Sequence, residues 1–405
     1  MIIVFKMIKL IWSSCRFSGP AAAIAREAGN CGACPLAGGR LGKSGVQSIM
    51  AHAPGRVELL GNHTDYNEGL VLSAAIDRGV TVHGGPRTDG RVVLASLTLE
   101  KSVDVPLRGF AKQEEESWAN YPLGVVWVFG KRGYELGGFA MEVVSDLPIG
   151  AGLSSSAALE VATATFLKKL FRWQIEPLEL AKLCRQGENE FVEVNCGLLD
   201  QVSSVFGKRN CAIFLDCRQE TVETVPFPDE VALLITHSGV KHELVGGEYN
   251  ERREQCFSAA KKMGARALRD VTSAELEAAR EKLSGLEYRR AAHVVGEIER
   301  VSQGIELLRT ANVRGFGELM FASHESSRTN FENSTAELDA LVRIARQERG
   351  VYGSRLTGGG FGGATVSLIK AGEARQIAKN IEKKYREDTG IECQTYLCEI
   401  DDGAR

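Results

Sequence analysis

From Ser48 onward the apolar residues of this chain follow two spacings, and the change from one to the other marks out its elements. Alternation with period two predicts short strands over residues 48–53, 69–82, 91–97 and 138–145, separated by turn residues. Pro54-Gly55 is expected to stop the first of them. Residues 118–129 change to helical spacing, with Trp118, Tyr121, Val125, Val128 and Phe129 recurring on one face. A second helix is predicted over 154–170 on Ala157, Leu159, Val161, Ala164 and Leu167, and a third over 177–194. After a strand-and-turn stretch at 214–228, amphipathic helices are expected at 247–263 and 289–309. Strands at 365–369 and 392–399 flank a helix at 373–385. Strands and helices mix without strict alternation, so the fold class expected is α+β.

Length and charge narrow the picture. A chain of 405 residues exceeds what one growing core accommodates, so two domains are expected, 46–220 and 221–405, after an N-terminal extension at 1–45. That extension is expected to be disordered, because Lys6 and Lys9 interrupt its apolar start and it lacks the charge-first order of a signal peptide. Formal net charge is −3, with no long Lys or Arg run, which argues against nucleic-acid and membrane-surface partners. No apolar stretch approaches the roughly 20 residues of a membrane span. Of ten cysteines only Cys31 and Cys34 form a C-x-x-C pair, and nothing completes a zinc site. Reduced thiols and a cytoplasmic location are the expectation.

Two segments resemble phosphate loops. Residues 37–44, ending Gly42-Lys43-Ser44, lack the preceding strand and following helix that let backbone N–H groups face a phosphate, and are read as a chance match. Leu147-Pro-Ile-Gly150-Ala151-Gly152-Leu153-Ser154-Ser155-Ser156 has both. Its glycines allow close approach of backbone to ligand, and the helix start supplies unpaired N–H donors and the positive end of the dipole. The serines add hydroxyl donors or a magnesium ligand. One helix cap explains one serine, not three.

That string resembles the second signature of the GHMP kinases, and the similarity runs from about Ala51 to the C-terminus. Ala53-Pro-Gly-Arg56-Val-Glu-Leu-Leu-Gly61-Asn62-His63-Thr64-Asp65-Tyr66-Asn67 resembles the sugar-binding signature of the galactokinase branch. Residues 356–363, Leu-Thr-Gly-Gly-Gly-Phe-Gly-Gly, resemble the third GHMP motif. His237-Ser-Gly-Val-Lys-His242, followed by Gly246-Gly-Glu-Tyr249-Asn-Glu-Arg-Arg253, is also of galactokinase type. Four motifs in the family's order imply a two-domain GHMP α+β fold with its active site in the interdomain cleft. They also imply an ATP-dependent sugar-1-kinase acting on a galactose-like sugar.

By that resemblance Asp200, in Cys196-Gly-Leu-Leu-Asp200-Gln201, is the catalytic base for the C1 hydroxyl, and Arg56 stands beside it. Whether proton removal by Asp200 or charge stabilisation by Arg56 dominates stays open. Gly150, Ala151, Gly152, Leu153, Ser154, Ser155 and Ser156 form the ATP phosphate loop, with Trp118 near the adenine. Mg2+ falls to Ser156 and Glu188, with Glu190 a rival for the second place; oxygen ligands suit this ion. Sugar hydroxyls fall to Asn62, His63, Asp65 and Tyr249, with Gly197 and Gly360 adding backbone groups.

One position departs from the pattern. Galactokinases usually carry glutamate where this chain has Asn62, facing the C6 end of the sugar. Galactose is the substrate expected, and a C6-modified galactose such as galacturonate is the alternative. A non-catalytic sugar sensor is the remaining reading, disfavoured because Ser154-Ser155-Ser156, Asp200 and Arg56 are all intact. The expected state is a monomer whose partners are ATP and the sugar.

Overall fold

The computed structural model describes residues 48–148, 150–240 and 245–405, leaving aside the side chains of Val245 and Gly246. The N-terminal extension, the C-x-x-C pair and the chance loop at 37–44 lie outside these residues, as do Ile149 and 241–244 of the quoted motifs. Residues 47–405 make one compact unit.

Its first sheet has seven strands. They are β1 (Ile49–Leu60), β2 (Leu70–Arg87), β3 (Arg91–Ser96), β4 (Lys101–Pro106), β5 (Gly138–Ser145), β6 (Cys211–Asp216) and β7 (Thr221–Pro226). The spatial order is β4-β3-β5-β2-β6-β7, and β1 runs along the other edge of β2. Only the β3–β5 pair is parallel. A second sheet, in the order β11-β8-β10-β9, is fully antiparallel. Its strands are β8 (Val231–His237), β9 (Val351–Thr357), β10 (Ala364–Lys370) and β11 (Gln394–Cys398).

Pro54-Gly55 does not stop β1. The strand continues to Leu60 through two irregularities, between Pro54 and Arg56 and between Glu58 and Leu60. A bulge absorbs a proline's missing donor and re-aims the residues after it. Here that residue is Arg56, whose own N–H bonds the Leu153 carbonyl (3.2 Å). The boundary expected at 220/221 falls in the turn of the β6–β7 hairpin, whose strands belong to one sheet. The change of sheet comes at residues 227–230, because the apolar positions of β7 still serve the first core.

Helices fill the space around the sheets. Helices α1 (Asn120–Lys131), α2 (Ser155–Leu170), α3 (Pro177–Gly187) and α4 (Leu199–Phe206) follow the first strands. The helix predicted over 177–194 ends early: at Gly187 it passes into a π-turn over Glu188–Val192. Helices α5 (Val245–Met263), α6 (Ser273–Ala278), α7 (Gly285–Arg309), α8 (Val313–Ser326), α9 (Ala336–Gln347) and α10 (Ala374–Thr389) complete the chain. One apolar core runs through both sheets. It joins Val57, Leu59 and Leu72 to Ile235, Val366 and Leu368, and includes Ile305 and Phe316 from α7 and α8.

Candidate active site

Strand β1 meets the end of β9 where the two sheets come together: the Glu58 N–H donates to Thr357 Oγ1 at 2.9 Å. Most of the expected site residues gather around this junction.

The phosphate loop links β5 to α2. Ser154 sits at the helix N-cap with φ 56°, a left-handed conformation costly for a residue with a Cβ. Its hydroxyl does not cap the helix. It donates instead to Asp200 Oδ2. No side-chain acceptor therefore occupies the start of α2, whose first N–H groups stay available to an anion. Backbone closes the loop from the other side, since a Cβ at Gly358 would stand 3.0 Å from the Gly152 carbonyl.

Asp200 opens α4 and is held from two sides. Arg56 Nε donates to its Oδ1 at 2.7 Å, and an Arg56 terminal nitrogen lies at the same distance. The other Arg56 terminal nitrogen donates to the Gly152 carbonyl at 2.7 Å. One guanidinium thus ties the acid to the phosphate loop. Asp200 keeps a quarter of its side chain exposed toward the cleft.

Glu188 and Glu190 separate cleanly. Glu190 points outward to Lys131 (2.6 Å). Glu188 is buried in the π-turn, which shifts the register of its carboxylate inward, and no Lys or Arg pairs with it among the described residues. It takes hydrogen bonds from Gln201 (2.7 Å) and Cys196 (3.0 Å), and Ser156 is close enough to act on its pKa, in the downward direction. Burial lifts its pKa to about 7, and the Asp200 charge pushes the same way. A buried acid beside a hydroxyl, short of positive charge, is an oxygen donor set suited to a hard divalent ion. Glu160, one turn beyond Ser156 on α2, is a further buried acid, and it takes the other bond from Gln201 (3.1 Å).

The residues expected at the sugar form two layers. Asp65 is partly open, near Asp200, and its pKa is raised to about 6 by burial and by that neighbouring charge. Gly197 lies against it: a Cβ there would fall 1.8 Å from Asp65 Oδ2. Tyr249 is half-buried, and its hydroxyl is held well above its usual range by burial and then by the Asp65 charge. Asn62 and His63 lie deeper, and each has its polar atoms engaged by protein. His63 takes φ 60°; its Nδ1 bonds the Tyr66 hydroxyl (2.9 Å) and its Nε2 the Gly359 carbonyl (2.9 Å). Since a carbonyl only accepts, Nε2 carries the proton, and burial keeps the ring neutral with a pKa near 4. Asn62 Nδ2 donates to Glu58 Oε2 (2.7 Å) and the Gly358 carbonyl (2.8 Å), while its Oδ1 accepts from Asn333 (2.9 Å). Gly360 packs on Asn333 with φ 81°. Trp118 stands apart on the turn Ser117–Ala119, its indole N–H bonded to Glu116 (3.1 Å).

Sequence reasoning missed Glu58, Glu160, Gln201, Glu297, Asn333 and Arg355. Glu297 accepts from the amides of Gly61 and Asn62 (2.9 and 3.0 Å), and Asn333 joins Asn62 to the Gly359 carbonyl (3.1 Å). The available signal was charge within apolar strand patterns, at Val57-Glu58-Leu59 and Ser354-Arg355-Leu356.

Comparison with known proteins agrees with this arrangement. Residues 120–208 match the GHMP kinases N terminal domain, 305–387 the GHMP kinases C terminal region, and 41–86 the galactokinase galactose-binding signature. The human galactokinase is 44% identical over 367 residues, spanning 88% of this chain and 92% of that one. The chain belongs to the galactokinase family. A galactokinase of Roseiflexus sp. (strain RS-1) is 41% identical over 362 residues, 88% of this chain and 92% of its own. The crystal structure of Lactococcus lactis galactokinase complexed with galactose superposes with a TM-score of 0.85 at 32% identity, covering 89% of this chain and 95% of that one. Methanococcus jannaschii mevalonate kinase, at 18% identity and a TM-score of 0.62, shares the fold. This family member is thus an ATP-dependent kinase with the α+β GHMP fold, and a C6-modified sugar is not the favoured substrate.

Proposed function

We propose that the chain transfers the γ-phosphoryl group of ATP directly to the C1 hydroxyl of galactose, with Asp200 as the base. The observation that carries this reading is the three-way hold on Asp200. Arg56 and Ser154 occupy one oxygen each, and Arg56 simultaneously grips the phosphate loop. Acceptor and donor are thereby set on either side of one guanidinium, which is the positioning that phosphoryl transfer chiefly needs.

Galactose sits between Asp200 and the Gly358–Gly363 loop, with Asp65 and Tyr249 against its hydroxyls and Gly197 clearing room for Asp65. Asn62 and His63 serve the same subsite; direct sugar contact by His63 exchanges one of the protein bonds described, whereas Asn62 Oδ1 keeps a lone pair for a hydroxyl. ATP places its phosphates at the glycine loop and the start of α2, with its base toward Trp118. Asp200 takes the C1 proton while Arg56 holds it in place and balances charge on the transferring group. Ser156 and Glu188 would hold Mg2+, which supplies charge neutralisation at the phosphates when bound. We place the working enzyme as a monomer in the cytoplasm; free thiols at all seven described cysteines support that compartment.

The test is a coupled ADP-release assay with galactose and Mg-ATP. Asp200→Ala should abolish turnover while leaving the thermal melt in place. An Asp200→Ala enzyme within tenfold of the parent rate refutes the assignment.

A further inference from the structure

Glu58 is a buried carboxylate with bonding capacity unspent. It lies two residues beyond Arg56 on β1, hence on the same face of the strand. The residue is 3% exposed. Oε2 accepts from Asn62 Nδ2, and the nearest Arg355 nitrogen, 3.8 Å from that oxygen, is beyond hydrogen-bond reach. No hydrogen bond from the described residues reaches Oε1. A buried carboxylate ordinarily fills both oxygens, and an open one calls for a donor from outside the protein. Its surroundings fit a sugar hydroxyl. Arg56 and Asp65 bear on the Glu58 charge, and that charge is felt in turn at the Tyr249 hydroxyl. Geometry sets Glu58 beside the sugar subsite proposed above, because the Asn62 amide bonded to Glu58 Oε2 (2.7 Å) also bonds the Gly358 carbonyl (2.8 Å) of the glycine loop.

We propose that Glu58 is a sugar-specificity residue of this site: its Oε1 accepts the hydrogen bond of the galactose C6 hydroxyl, and Asn62 is the positioning residue that aims it. Both amide hydrogens of Asn62 are spent on Glu58 and Gly358 and its Oδ1 already accepts from Asn333, which leaves it a single lone pair, whereas Glu58 Oε1 takes no bond from the described residues. With C1 at Asp200, the far side of the ring presents the C4 and C6 hydroxyls, and by the resemblance position 62, which Glu58 bonds, faces the C6 end. The acid that the chain lacks at position 62 is thus supplied from position 58, and Arg355, wholly buried with all three of its side-chain nitrogens unbonded, balances it at a distance. A carboxylate in this place also repels a sugar already carrying an acid at C6. The inference rests on the placement of the sugar proposed above.

The experiment compares galactose, 6-deoxygalactose and galacturonate. The unaltered enzyme should favour galactose over 6-deoxygalactose by at least tenfold in kcat/KM, the size expected for a hydrogen bond to a charged group, and should reject galacturonate. Glu58→Gln should cut that ratio about tenfold through KM for galactose, with 6-deoxygalactose barely affected. Glu58→Gln combined with Asn62→Glu, which moves the charge four residues along, should restore it to within threefold. Equal use of galactose and 6-deoxygalactose or galacturonate by the unaltered enzyme overturns the proposal, even where a variant fails to fold. So does a Glu58→Gln enzyme equally slow on galactose and 6-deoxygalactose, the mark of a purely structural residue, or a double variant that folds without restoring the ratio. Asp200→Ala measured alongside separates the two readings. If it stays active, the sugar placement fails; if it is dead while the ratio ignores Glu58, only the Glu58 assignment fails.

Discussion

Gly197→Ala tests the sugar site with one methyl group. The backbone at 197 is not in the left-handed region, so alanine brings no conformational strain of its own. Its Cβ would stand 1.8 Å from Asp65 Oδ2, where ordinary contact begins near 3.4 Å. The carboxylate must therefore retreat by about 1.6 Å, more than the window over which a hydrogen bond survives. The atom displaced is the end of a side chain partly open to the cleft, so the fold should bear the change with little loss of Tm. What is lost is one bond from a charged acceptor to the sugar, roughly 1.5–3 kcal/mol, or about tenfold to a hundredfold in affinity. ADP-release kinetics should show KM for galactose raised by that factor, KM for ATP within twofold, and kcat reduced less than KM is raised. Separate titrations with each substrate, and a melt of both proteins, complete the assay. An unchanged KM for galactose would mean that Asp65 does not bind the sugar from this position. A KM for ATP that rises in step would mean the methyl group disturbs the whole cleft.

Other expectations follow from the same geometry. Asp200→Asn keeps the size and an acceptor oxygen but not the charge that Arg56 holds; kcat should fall by about 10²-fold or more, in the range of general base catalysis, with KM for galactose nearly constant. Glu188→Gln should raise the Mg2+ concentration needed for half-maximal rate at least tenfold at saturating ATP, whereas Glu190→Gln, on the outer surface, should leave it unchanged. Glu58 carries a pH signature in stability. Burial raises its pKa from 4.5 to about 7, so between these values the unfolded chain has lost the proton that the folded chain retains. Its contribution to stability therefore falls as pH rises through that window. Glu58→Gln, which has no proton to lose, should gain stability relative to the parent from pH 4.5 upward and level off above 7, by on the order of 3 kcal/mol, read as a rising difference in Tm. A melting difference flat across pH 4.5–8 refutes it.

How much of this was legible beforehand depended on the range of the interactions. The glycine loop, the serines opening α2, and Arg56, Asp65 and Asp200 stood out because their chemistry sits in short contiguous strings. Helices and strands appeared nearly where periodicity placed them, since local spacing governs which face can be buried. Two local readings gave way to tertiary context. Pro54-Gly55 has the composition of a strand stop, yet pairing with β2 carries β1 through it. The helix after Pro177 keeps its apolar spacing past Gly187, but the π-turn at Glu188–Val192 widens the coil and turns Glu188 inward. The network around Asn62 was barely legible, with a lone charge in the apolar strand pattern at Arg355 its one local signal. Asn333, Glu297 and Arg355 come from a loop, a helix and a strand more than 230 residues beyond Asn62, and only the meeting of β1 with β9 makes them one network.

The core that passes through both sheets also governs how the molecule comes apart. Val57 and Leu72 on one side and Ile235 and Val366 on the other belong to a single apolar cluster, continuous past the buried polar network that joins β1 to β9. Residues 47–405 should accordingly unfold in one cooperative step. Galactose and ATP, bound at the junction as proposed above, should then act as keystones. Each ligand slows hydrogen exchange throughout the unit, in strands as remote as β4 and β11 as well as in those it touches.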